Sequence, residues 1–344
     1  MSGGRCPIDV ITGFLGSGKT TLLGDALAKR PSDGTSVIVN EYGQAGLDHR
    51  LLRRVEERTT LLAGGCVCCN RRDDLIQELL AMLNAHQKGE RPLDRVVIET
   101  TGLADPAPIL FSILTHPVLA HHYFIETVVA CLDSVNGNAQ IAAYPEAVKQ
   151  IVSADKIIIT KTDIGDPEKI ERLERRVASI NPAARVLMAA RGAAPPSMLA
   201  PVEGRAGASP ATGARPARET EGVLSEGHVT DIKSLSVRFD APLNWQAFGV
   251  WLSMLLQHNG EKIMRVKGIV DMGEAGPIVL NGVQHIIHPP KHLPDWRDYE
   301  TCGSEIVFIT RRIEPEKIMG SLIAFQRIIG ASPEIREIDS SVFR

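Results

Sequence analysis

Three cysteines fall within four positions of GGCVCCN (64–70): Cys66, Cys68 and Cys69, in a chain of 344 residues with six cysteines in all. Thiolates are soft ligands suited to Zn²⁺, Co²⁺ or Cu⁺, and Cys66 with Cys69 has the C-x₂-C spacing of many such sites. A closed structural zinc site wants four ligands, so this one borrows a fourth from elsewhere or keeps a position open for exchange. Glu41, His121 and His122 are the candidates. A vicinal Cys68–Cys69 disulfide is the redox alternative, disfavoured by the strain of so small a ring. Arg71, Arg72 and the start of a helix expected over 71–86 would lower the thiol pKa values, and the thiolate is the form that binds metal.

A second chemistry is written in PIDVITGFLGSGKTTLLGDALAKR, a β-prone run, a glycine-punctuated loop and a helical pattern. Gly13, Gly18, Lys19 and Thr20 fit G-x-x-x-x-G-K-[ST] in the strand-loop-helix setting that motif requires. Backbone N–H groups must approach phosphate oxygens closely, so side chains at Gly13, Gly16 and Gly18 would obstruct. Lys19 then reaches the β- and γ-phosphates, and the Thr20 hydroxyl ligates Mg²⁺ at a helix N-terminus that already favours anions. Ser17 and Thr21 complete the expected nucleotide contacts.

Further residues gain meaning from the elements that must carry them. Runs at 35–40, 94–102, 125–133, 154–163 and 185–190 are rich in Val and Ile, as strands buried on both faces are. Alternating with helices, they predict an α/β P-loop NTPase domain built on a parallel sheet. Functional loops in such a domain gather at the carboxyl ends of the strands. Glu99 ends one strand, where a carboxylate would hold Mg²⁺ through water, and Gly102 follows with a backbone N–H for a γ-phosphate. Asn40 and Glu41 end another and open a glycine-rich stretch suited to a switch. In TKTD (160–163), Lys161 would lie along a purine ring and Asp163 would accept from guanine N1 and N2, paired donors that adenine lacks.

The first domain is assigned to 1–190, a flexible Ala/Gly/Pro-rich linker to 191–230, and a smaller α+β domain to 231–344. In the last, SLSVRF alternates like a half-buried strand, and Trp245, Phe248, Leu252, Leu255 and Leu256 mark one face of a helix. His285, His288 and His292 in QHIIHPPKHL lie near two prolines, and His285 and His288, three apart on a strand, face opposite sides, so the three are read as surface or interface residues rather than a metal site. Net charge of -3 and 4% aromatics offer no footprint for nucleic acid or an anionic membrane. Without an apolar run long enough to span a bilayer, or a signal-like start, the chain is expected in the cytoplasm. There Cys131, inside TVVACLD, is expected to be a small buried hydrophobe, and Cys6 and Cys302 merely flank strands.

Taken in order along the chain, GFLGSGKTT, NEYG, GGCVCC, ETTGLADP and TKTD closely resemble the CobW family of P-loop GTPases across both domains. The resemblance implies hydrolysis of GTP to GDP and phosphate with Mg²⁺, and metal binding by Cys66, Cys68 and Cys69. It further implies delivery of a transition metal to a client metalloprotein, contacted in part by the C-terminal domain, and allows a nucleotide-dependent dimer. Zinc is favoured on affinity. Cobalt delivery for corrinoid synthesis, activation of a nitrile-hydratase-type enzyme, and a non-enzymatic metal or redox sensor remain alternatives. Glu41 is a candidate general base. Two departures stand out: Thr160 occupies the place of Asn in N-K-x-D, and Gln44 stands where many relatives have Glu.

Overall fold

The Val- and Ile-rich runs become strands whose side chains are largely buried on both faces. Strands β1 (Cys6–Gly13), β2 (Thr35–Val39) and β3 (Thr59–Leu61) are followed by β4 (Arg95–Glu99), β5 (Tyr123–Asp133), β6 (Lys156–Thr160) and β7 (Arg185–Met188). Between them run helices α1 (Lys19–Lys29), α2 (Asn70–Gln87), α3 (Ala107–Thr115), α4 (Pro117–His122), α5 (Gly137–Ala143), α6 (Pro145–Ser153) and α7 (Pro167–Ile180). The computed structural model describes residues 4–29, 34–39, 59–61, 70–201, 231–239, 241–297, 302–328 and 335–337. Glu41 and its switch, Cys66, Cys68 and Cys69, and linker residues 202–230 lie outside the described residues.

All seven strands are parallel, in the order β3-β2-β4-β1-β5-β6-β7. Strand β1 has β4 on one side and β5 on the other, so the connections leaving these three open a crevice at the carboxyl edge. The strand interiors are sealed: Ile8, Val10, Ile11, Val97, Ile98, Val129 and Ile158 are all buried.

The first domain does not stop at 190. Ala194, Met198 and Leu199 are buried in one cluster with Leu22, Leu23, Ala26 and Leu27 of α1, so the stretch from 191 to 201 is part of the domain rather than linker. Two cations fasten it. Lys156 Nζ donates to the carbonyls of Ser197 (2.5 Å), Met198 (3.4 Å) and Ala200, and Arg95 Nη1 donates to Leu199 O at 3.2 Å. Arg95 also pairs with buried Asp9 and, at 2.9 Å, with Glu126. Burial pushes the Lys156 ammonium down to about 8. A run of small residues thus looks like a tether in sequence and folds as a strap, because small side chains let backbone carbonyls crowd a buried amine.

The second sheet is antiparallel. It comprises β8 (Ile232–Phe239), β9 (Ile263–Val270), β10 (Ile278–Val283), β11 (Ile286–Ile287), β12 (Lys291–His292), β13 (Ser304–Arg311) and β14 (Ile335–Glu337). Their order is β11-β10-β9-β13-β8-β14, with β12 paired to β10. Helix α8 (Trp245–Asn259) is capped by Asn244, whose side chain accepts from Ala247 N at 3.1 Å. It packs Phe248, Trp251, Leu252 and Leu256 into a core shared with Phe308 and with Ile318 and Leu322 of α9 (Pro315–Ile328). Trp251 reaches across to donate to Ser321 Oγ at 3.0 Å, satisfying its indole N–H. This is the smaller α+β domain expected, with three short strands added.

Candidate nucleotide site

Strand β1 ends at Gly13 and α1 begins at Lys19, so the intervening loop stands at the carboxyl edge between β4 and β5. Its glycines are needed, though not all for phosphate access. A Cβ on Gly13 would lie 2.3 Å from Cys131 O of the neighbouring strand, so packing forbids a side chain there. Gly16 and Gly18 instead hold left-handed conformations, with φ of 71° and 87°. Lys19 is buried, and its ammonium donates to Gly13 O (2.9 Å) and Phe14 O (3.1 Å), which centres the cation on the loop.

The register Ile11↔Glu99 sets the end of β4 beside the loop. There Thr20 Oγ1 donates to Glu99 Oε1 at 2.6 Å, and Glu99 is only 5% exposed. A hydroxyl and a carboxylate are hard oxygen donors, and a paired set of this kind fits Mg²⁺, which takes one or two protein oxygens and keeps several waters. Thr100 reinforces the junction: its N–H donates to Ile11 O at 2.9 Å and its hydroxyl to Thr12 Oγ1 at 2.9 Å.

Gly102 has a second use that its spacing from Glu99 does not disclose. A Cβ there would sit 2.6 Å from Leu15 Cδ2 and 2.7 Å from Leu15 N, so the segment after β4 rests directly on the phosphate loop. Buried Gln150 holds that segment, donating to Gly102 O (3.2 Å) and Ala104 O (3.0 Å). Gly102→Ala must displace loop backbone, and overpacking of this kind costs about 1–3 kcal/mol. We expect a lowered Tm together with weaker nucleotide binding, measured by thermal unfolding and GDP titration; an unchanged affinity would show that the loop does not lean on Gly102.

At the ends of β5 and β6 a second set of residues gathers. Thr160 Oγ1 donates to Ser17 O at 2.8 Å and shares its proton with Leu132 O at 3.1 Å, tying β6 to the phosphate loop. The hydroxyl that stands in for an Asn amide is therefore engaged with the loop. Lys161, in the left-handed region at φ 57°, pairs with Asp133 Oδ2 at 2.8 Å. Exposed Asp163 accepts from Arg191 N at 2.9 Å; that bond and the one from its own N–H hold the carboxyl below the usual range, so it stays an acceptor. The turn supplying this N–H, Arg191 (φ 51°) and Gly192 (φ 72°), fell in the stretch read as linker. A Cβ on Gly192 would come 2.8 Å from Thr21 Cγ2, so Thr21 is a packing neighbour of that turn.

His121 and His122 end α4 just before β5 starts, which puts them at the amino edge of the sheet, opposite the loop. Helix α2 has 18 residues and is about 27 Å long, and Tyr123 donates to Leu79 O midway along it at 2.8 Å. The two histidines thus neighbour the middle of α2 rather than Asn70, which follows Cys69. Cys131 is buried, its thiol pushed up to about 12 by desolvation, which agrees with its reading as a core residue. Half-buried Cys6 is likewise pushed up to about 12, chiefly by burial, and Cys302 is exposed. Among the described residues no group of three His, Cys, Asp or Glu is gathered to hold a metal ion. No helix among them is long and apolar enough to cross a membrane.

A phosphate loop, a Thr–Glu oxygen pair and a T-K-x-D turn, all on one edge of a parallel sheet, define a P-loop nucleotide-binding domain. The family model described as CobW/HypB/UreG, nucleotide-binding domain, matches residues 7–188, and that of the cobalamin synthesis protein cobW C-terminal domain matches 232–326. The zinc chaperone YjiA of Escherichia coli is 31% identical over 93% of this chain and 98% of its own length. The zinc chaperone CobW of Pseudomonas aeruginosa is 31% identical over 57% of this chain and 59% of its own. The crystal structure of Zn(II)-bound YjiA GTPase from E. coli superposes with a TM-score of 0.66 at 25% identity, covering 94% of this chain and 99% of that one. The chain belongs to the CobW family of P-loop GTPases, in the company of zinc chaperones.

Proposed function

We propose that this chain is a GTP-hydrolysing metallochaperone that binds Zn²⁺ through Cys66, Cys68 and Cys69 and passes it to a client metalloprotein. The observation that carries the reading is the strand order at the carboxyl edge. Strands β3, β2 and β4 are neighbours, with Val39 in register with both Leu61 and Glu99. The chain leaves β2 just before Glu41 and leaves β3 five residues before the first cysteine of the cluster, and it enters α2 at Asn70 directly after the last. The first connection therefore departs from the strand beside the one that ends in Glu99, and the second from the next strand out.

Within this reading the roles divide as follows. Lys19 and the loop N–H groups bind the phosphates, Thr20 and Glu99 hold Mg²⁺, and Asp163 with Lys161 receives guanine. Held by Thr20 and Glu99, Mg²⁺ would offset the charge that develops on the phosphate in hydrolysis. Glu41 is the switch residue most readily added to the three thiolates as a fourth ligand, since the histidines considered for that place lie at the other edge. GTP would order the switch and complete the metal site, and hydrolysis would relax it and free the metal. The similarity to zinc chaperones supports zinc over cobalt as cargo. The C-terminal domain is the surface we assign to client contact. The test is Zn²⁺ affinity in the two nucleotide states, expected to be tighter with a nonhydrolysable GTP analogue than with GDP.

A further inference from the structure

Each residue of the T-K-x-D turn is fixed by a different element: Thr160 by the phosphate loop, Asp163 by the turn at Arg191, and Lys161 by the end of β5. The last clamp is the most complete. Ser134 Oγ donates to Lys161 O at 2.9 Å while Asp133 takes the ammonium, so the backbone and the head of one lysine are both held by consecutive residues of one strand end. Asp133 is 2% exposed. Its Oδ1 accepts from Val135 N (2.8 Å) and Asn136 N (3.4 Å), and its Oδ2 accepts from Asn136 Nδ2 (3.0 Å) and Lys161 Nζ (2.8 Å).

Those four bonds are about all that one carboxylate can accept. Asp133 has no capacity left for a ligand, and whatever it does to nucleotide binding it does through its neighbours. Lys161 is the neighbour that matters, because its side chain is 38% exposed at the mouth of the site. A free lysine stem has up to about 2 kcal/mol of rotamer entropy to lose when it is ordered against a ring. A head group already seated on a buried anion has lost most of that beforehand. Burial works against a charged Asp133, yet the bonds from Lys161, Asn136 and Val135 N prevail and hold its carboxyl below the usual range.

We propose that Asp133 is a positioning residue of the guanine site: it fixes the Lys161 side chain along the base and so sets guanine-nucleotide affinity without touching the nucleotide. The inference rests on the GTPase reading above and assigns a residue that no feature of the T-K-x-D motif includes.

A double-mutant cycle on the full chain tests it, reading KM and kcat for GTP hydrolysis and Kd for GDP. Losing one charge-assisted hydrogen bond is expected to raise KM and Kd about tenfold in Asp133→Asn and similarly in Lys161→Met. Because the reacting phosphate is untouched, kcat should stay within about twofold of wild type. The double variant should be no worse than either single one, since both remove the same interaction. An unchanged KM in Asp133→Asn, or single effects that multiply in the double variant, would overturn the proposal. Should Asp133→Asn fail to fold, Lys161→Arg against Lys161→Met answers the same question. Arginine keeps a cation on Asp133 and should hold KM within about threefold, whereas a Lys161→Arg as poor as Lys161→Met would overturn it. A wild-type chain that hydrolyses no GTP overturns the GTPase reading itself, which is seen before any variant is compared.

Discussion

Replacing Glu99 with glutamine is expected to lower kcat for GTP about 10²- to 10³-fold, the loss typical of one electrostatic group aimed at developing charge. The side chain is buried at the end of β4 and one oxygen accepts from Thr20 at 2.6 Å. Glutamine has the same shape and keeps an acceptor for that hydroxyl, so the fold and the loop should survive. What disappears is the negative charge, in a setting too dry for water to replace it. Steady-state hydrolysis across a Mg²⁺ titration would show both the lower kcat and a higher Mg²⁺ requirement, while GDP binding without Mg²⁺ stays near wild type. A kcat within a few-fold of wild type at all Mg²⁺ concentrations would remove Glu99 from the machinery.

The second large effect separates the two ligand sites. Substituting Cys66, Cys68 and Cys69 together by alanine should weaken Zn²⁺ binding at least about a thousandfold, since thiolate coordination is worth on the order of 10 kcal/mol in a good site. Affinity for GDP in the absence of metal should not follow, because the loop, Glu99 and the T-K-x-D turn contain none of these residues. Lys19→Ala should do the reverse, since its ammonium sits on Gly13 O and Phe14 O at the centre of the loop. Competition against a chromophoric chelator under anaerobic conditions reads the first effect, and GDP titration the second. A cysteine variant that still binds Zn²⁺ tightly would move the metal site elsewhere in the chain.

The nucleotide loop could be read from the sequence because its chemistry is local: glycine, lysine and threonine must stand at fixed offsets, and the flanking strand and helix announce themselves by composition. Glu99 and Asp163 are legible for a related reason, since Glu99 closes a Val- and Ile-rich strand and Asp163 follows another by three residues. Asp133 closes such a run as well, yet an aspartate there serves equally as a plain turn-former, and only the distance to Lys161 distinguishes the two. The strap over α1 reads as linker because Ala, Gly and Pro carry no period, and its burial depends on α1 and two distant cations. Helix α7 does carry a signal, since Leu173, Val177 and Ile180 recur at helical spacing and are buried. Strands of two or three residues, such as β11, β12 and β14, have no signature of their own and exist only through their partners. Gly13 shows the subtler gap: its need for glycine comes from Cys131, on a strand more than a hundred residues away in the chain.

The central claim is that nucleotide state sets metal affinity. It is met most directly by measuring the Zn²⁺ dissociation constant of the anaerobically purified chain, once with a nonhydrolysable GTP analogue and Mg²⁺ and once with GDP and Mg²⁺. Coupling between two sites on one bistable element is usually 1–3 kcal/mol, so binding should be at least about fivefold tighter with the analogue. Equal dissociation constants in the two states would contradict the account.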